Sequence, residues 1–215
     1  MDSLGSSLAR RTAASALPPG FRPFVKALCK AARAMGASAV ALANVEDTAL
    51  EARVTWECLC YALHLVSLRL GTRRNGHRDF EFMRALRAAC QSELRNARAT
   101  GRGCLQLHSG PEASPTVCFD MLSRCSRQTP WNELEPGLFG EFCRATGLSS
   151  ARLAGGGENV ATLLFYIVLH GLVARDRPFT REQTTLLLRA AGQCRRQVQA
   201  ACQVWLADPS RAREG

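Results

Sequence analysis

The strongest constraint on this chain is the stretch 160–174, where Thr162, His170 and Gly171 are the only exceptions to an unbroken apolar run. Fifteen residues is short of the ~20 that a helix needs to cross a bilayer. A helix that is apolar all round must instead be buried by protein. The run therefore predicts a central core helix, wrapped by amphipathic neighbours. Val and Ile are few beside Ala and Leu, which favours helices over strands for those neighbours too. The expected fold class is all-α: a helical bundle around one central apolar helix.

The neighbours can be read from spacing. Over 52–70, Leu59, Leu63, Val66 and Leu70 recur at helical steps, and Gly71 follows as a stop. Over 80–97, Phe80, Met83, Leu86, Cys90, Leu94 and Ala97 line one face, with Asp79 placed to cap it. Residues 101–116 carry Gly110, Pro111 and Pro115 and predict a loop, with a short helix expected over 117–124. A further helix opens at Pro136, buries Leu138, Phe142 and Ala145, and ends at Gly147. Asn159, after Gly155-Gly156-Gly157, is positioned as N-cap of the central helix. The last helix opens on Thr180-Arg181-Glu182-Gln183, a capping-box pattern, and places Leu187, Ala191, Cys194, Val198, Cys202 and Trp205 on one face before Pro209. This gives a bundle over 51–208 and a polar tail over 209–215. Residues 1–50 read as a basic, partly disordered arm with one helix after Phe21. The Ser/Ala/Arg stretch up to Pro18-Pro19-Gly20 also resembles a mitochondrial transit peptide in composition.

Net charge is +10, yet 26 of the 28 basic residues are Arg and the only lysines are Lys26 and Lys30. So strong a skew suits the codon bias of a G+C-rich genome, such as that of some large DNA viruses. Charge alone is then poor evidence for nucleic-acid binding, though it permits attraction to an anionic membrane or RNA. The ten cysteines are expected to be reduced, because residues 1–7 lack a signal-peptide pattern and Cys58, Cys90, Cys194 and Cys202 sit in apolar helical faces.

Chemistry-bearing motifs are few. The triple glycine lacks the strand and lysine of a phosphate loop. Cys58, Cys60 and His64 can be drawn as a metal site, but the cysteine spacing is wrong for zinc and the two thiols leave a helix on different sides, so buried thiols are expected. The histidines, His64, His77, His108 and His170, are dispersed. Neither catalytic residues, a metal nor a cofactor is expected, and the chain is read as a binding protein, not an enzyme.

Several segments together resemble the B-cell lymphoma 2 family of apoptosis regulators, in particular a divergent viral, herpesvirus-like member. Gly157-Glu158-Asn159 followed by the apolar helix is similar to the family's first homology motif. Gly171 falls where the family has a small residue, and Trp205-Leu206-Ala207-Asp208 resembles the start of its second motif. Leu86-Arg87-Ala88-Ala89-Cys90-Gln91 looks like the third motif, and 57–70 is similar to the family's first helix. Val160 and Thr162 stand where the family has Trp and Arg, Cys90-Gln91 replaces Gly-Asp, and the second motif's closing Gly-Gly-Trp and the C-terminal anchor are missing.

The resemblance implies an apoptosis-modulating protein, anti-apoptotic in direction, that receives amphipathic helices of pro-apoptotic partners in a hydrophobic groove. It implies action in the cytoplasm or at the mitochondrial surface. The groove would lie between the 80–97 helix and the start of the central helix. Its lining would be Met83, Leu86, Cys90, Leu94, Leu138, Phe142, Asn159, Val160, Leu163 and Leu164. The competing expectation is a basic helical structural or nucleic-acid-associated protein, with Arg84, Arg87, Arg95 and Arg98 forming a basic face and Arg73, Arg74 and Arg78 just before it.

Overall fold

The structure is a computed structural model describing residues 20–43, 48–70, 76–99, 119, 123, 136–148, 157–173 and 179–207. Six helices carry it: α1 (Phe21–Ala43), α2 (Thr48–Leu70), α3 (Gly76–Ala99), α4 (Pro136–Thr146), α5 (Glu158–Val173) and α6 (Arg181–Leu206). The fold is all-α, and no strand occurs among the described residues.

Each helix follows from its local sequence. In α1, Pro23 sits in the first turn, where its missing N–H costs nothing. Phe21, Phe24, Val25, Leu28, Ala32, Met35 and Ala39 then recur at helical steps and are all buried. In α6 the capping box is complete: the Gln183 amide donates to Thr180 Oγ1 at 3.2 Å, and the Thr180 amide donates to Gln183 Oε1 at 2.8 Å. Gln183 Nε2 also donates to the carbonyl of Leu42, tying the start of α6 to the end of α1. At the end of α4, Gly147 takes φ +68 and its amide donates to the Cys143 carbonyl, the left-handed stop that a β-carbon disfavours. Of the short helix expected over 117–124, Phe119 and Ser123 are described and helical; the rest lies outside the described residues, as do the 101–116 loop, residues 1–19 and the 209–215 tail.

Contacts between helices fix their directions. α1 and α2 run antiparallel and come close where a β-carbon on Gly36 would stand 2.7 Å from Thr55 Oγ1 and 3.2 Å from its Cα. α3 runs parallel to α1: the Phe21 and Phe82 rings lie 6.2 Å apart, Cys29 meets Cys90, and Arg33 meets Glu93. α5 is antiparallel to α2, with Tyr61 against Phe165 and Arg69 against Glu158. α6 returns antiparallel to both α5 and α1, through Tyr166–Thr184 at one end and Phe24–Trp205 at the other.

Three expectations change here. α1 is part of the core, so the bundle begins by residue 21 and not at 51; its apolar face is too complete to leave in water. The apolar run is indeed buried, with residue 161 and residues 163–169 at 3% exposure or less, but it is not the sole centre. α2 is buried on every side from Glu57 to Leu63 and packs against α1, α3, α5 and α6. Helix starts also shift. α2 begins at Thr48, and α3 begins at Gly76, which puts Asp79 inside its first turn and not at its cap.

Candidate partner-binding site

The segments similar to the first and second motifs meet at one end of the bundle, where α5 starts and α6 finishes. At the start of α5, Gly157 takes φ +75 and its carbonyl accepts the Ala161 amide at 3.1 Å. That is the N-cap position, so the cap expected at Asn159 falls two residues earlier and Asn159 lies within the first turn. Glu158 gathers two arginines: Arg69 from α2 and, at 3.6 Å, Arg195 from α6. Arg195 also donates to Asn159 Oδ1 at 3.5 Å. One turn on, the Thr162 hydroxyl donates to the Glu158 carbonyl at 2.7 Å and lies 2.9 Å from the Tyr61 hydroxyl. Burial, first, pushes the Tyr61 phenol well above its ordinary value, so it stays protonated in this contact. The cluster pins α2, α5 and α6 together at one end.

At the same end of the bundle, further along α6, Trp205 is buried against three rings. Phe24 stacks on it at 5.1 Å, Phe82 at 5.6 Å, and Phe21 is tilted at 5.8 Å. Its neighbour Leu206 is exposed. Gly171 is exposed too, with nothing near where a β-carbon would stand, so packing does not demand a small residue there.

Among the described residues the expected lining does not form an open groove. Leu86, Cys90, Leu94, Phe142, Leu163 and Leu164 are buried in the core, Met83 and Val160 pack half-buried against it, Asn159 is half-buried at the ion cluster, and Leu138 lies on the α4 backbone. The two expected walls are also apart. α3 rests on α1 and on the Trp56–Cys60 face of α2, whereas α5 meets α2 through Tyr61 and Arg69 on another face. α2 stands between α3 and α5 because its own all-round apolar surface needs cover on both sides.

The basic face of α3 is also smaller than expected. Arg84 and Arg95 are exposed, but Arg87 turns inward, donating to Cys60 Sγ at 3.3 Å with its guanidinium 5.6 Å from the Trp56 ring centre. Arg98 and Arg78 lie on the α3 backbone, and Arg73 and Arg74 lie outside the described residues.

Cys58, Cys60 and His64 do not converge. Cys60 faces Arg87, the fully buried Cys58 lies near Cys194, and His64 meets the edge of Phe119. Among the described residues no three potential metal ligands gather, and no helix is long and apolar enough to cross a membrane.

Two features escaped the sequence reading. Glu57 is buried and its Oε2 accepts the Phe119 amide at 2.8 Å, while the Phe119 ring lies edge-on to both Tyr61 and His64. A carboxylate inside an apolar run was the available signal. The second is the meeting of Cys29 and Cys90, which no local pattern announces. No family model, curated protein or solved structure matches the chain.

Proposed function

We propose that the chain is a non-enzymatic binding protein that regulates apoptosis, an inhibitor of cell death acting in the cytoplasm or at the mitochondrial surface by receiving an amphipathic helix of a pro-apoptotic partner. One observation carries the reading. The segment similar to the family's first motif opens a buried helix at Gly157, and its Glu158 and Asn159 are held by arginines from two other helices. The Trp of the second-motif segment is likewise an aromatic anchor of the bundle.

The closed core sets the energetic terms of such binding. A partner helix needs apolar anchors seated in a trench, and here the residues expected to floor it are already packed. α3 rests on one side of the bundle, against α1 and α2, and its departure would uncover Leu86, Cys90 and Leu94. If the open form is about 1% of the population, apparent affinity falls about 100-fold below the intrinsic value. Binding is therefore expected in the micromolar range, not the nanomolar.

Titrating fluorescent peptides of pro-apoptotic partner helices with the full chain tests this. Saturable micromolar binding, lost when the peptide's apolar anchors are changed to Ala, is the expected result. No binding at high micromolar concentration overturns the reading.

A further inference from the structure

The parallel seam between α1 and α3 brings two cysteines together. Its register is held on both sides, by the Phe21–Phe82 ring contact at one end and by Arg33 Nη2 donating to the Glu93 carbonyl at 3.2 Å at the other. Between them Cys29 Sγ donates to the Cys90 carbonyl at 3.5 Å, and both residues are wholly buried.

We propose that Cys29 and Cys90 are an oxidative modification site, joined by hydroperoxides into a reversible disulfide that fastens α3 to α1. The inference does not depend on the apoptosis reading. Disulfide formation needs β-carbons about 3.5–4.5 Å apart, and the register of the seam brings the Cys29 sulfur to within 3.5 Å of the Cys90 carbonyl, beside the residue it would join.

The two sulfurs have different parts. Interaction with the Cys90 side chain holds the Cys29 thiol below its ordinary value, with Arg33 assisting against burial and Glu93. Cys29 is therefore the nucleophile. That same interaction, followed by burial, pushes Cys90 up, so it keeps its proton until the second step. Cys29 sulfur attacks one oxygen of hydrogen peroxide, the O–O bond breaks, and Cys29 becomes a sulfenic acid as the first water leaves. Cys90 sulfur then attacks Cys29 sulfur. The S–S bond forms, the S–O bond breaks, and the Cys90 proton leaves with the hydroxyl as the second water. Two thiols and one hydrogen peroxide give one disulfide and two waters.

Among the described residues, the neighbouring buried thiols Cys58 and Cys194 lack this asymmetry. Burial pushes Cys58 well above its ordinary value and Cys194 up to about 12, and a protonated thiol inside a core is inert. Oxidant reaches the pair when α3 opens locally, so reaction rate follows that opening.

Peptide mass mapping of the reduced, folded full chain after hydrogen peroxide treatment and alkylation tests the proposal. The expected product is a cross-linked peptide joining Cys29 to Cys90, reversed by dithiothreitol and formed at least several-fold more in the folded chain than in urea. The oxidised protein should show a higher urea midpoint, and Cys90→Ser should abolish that rise. Recovery of Cys29 and Cys90 unlinked while other cysteines have reacted overturns the proposal. So does an equal yield in urea, or a midpoint rise that survives Cys90→Ser. The mapping on the native sequence decides the matter even if Cys90→Ser fails to fold.

Discussion

Trp205 shows what one residue does for this fold. It is 3% exposed, and three aromatic side chains from α1 and α3 enclose it. It thereby holds the last turns of α6 against the first turns of two other helices. Trp205→Ala should cost about 3–5 kcal/mol, because a cavity opens where stacked rings cannot collapse. A urea titration with unchanged m-value would check this. A loss below about 1 kcal/mol would mean that the aromatic cluster is dispensable. Glu158 presents the opposite case: its ion pairs are conspicuous, but its side chain is 27% exposed, and pairs so open to water contribute little. Trp205 could be picked out from sequence by its place on the apolar face of α6. Its partners could not, since Phe21, Phe24 and Phe82 are remote in the chain and no spacing rule joins them.

At the scale of elements, local chemistry is the best guide. The α6 capping box forms as its four residues imply, with both reciprocal hydrogen bonds present. Thr180→Ala removes one of them and should lower stability by about 1 kcal/mol. Thr180→Asp should largely restore it, since Asp also accepts at an N-cap and favours the positive helix end. Thermal unfolding of the two variants checks the pair. The face of α6 is likewise legible, because one apolar stripe on an otherwise polar helix has only one way to point. α2 is the harder element. Its stretch 57–63 is buried all round, so no stripe tells which neighbour covers which side. That ambiguity is why a trench between α3 and α5 was expected and α2 was found between them.

At the scale of the whole molecule, the many buried thiols shape how stability responds to pH. Burial pushes Cys194 up to about 12 and Cys202 up to about 11 from an ordinary 9.0. The unfolded chain releases these protons near pH 9 while the native state retains them, so rising pH stabilises the unfolded state above that point. Their contribution is complete below pH 9 and is lost as pH rises through 9–11, at about 1.4 kcal/mol per pH unit for each such thiol. Urea midpoints measured from pH 7 to pH 10.5 should be flat and then fall. A flat profile to pH 10.5 would contradict it. The sequence by itself determined the helical class, the capping box of α6, the burial of the apolar run and the inward faces of α3 and α6, since these depend on residues within a few turns of one another. Tertiary structure alone decided that two helices share the centre, that α1 belongs to the core, that six of the expected groove residues are buried in it, and that Cys29 meets Cys90. Those outcomes depend on which apolar surface finds which cover, and surfaces of similar composition differ in shape, not in sequence pattern.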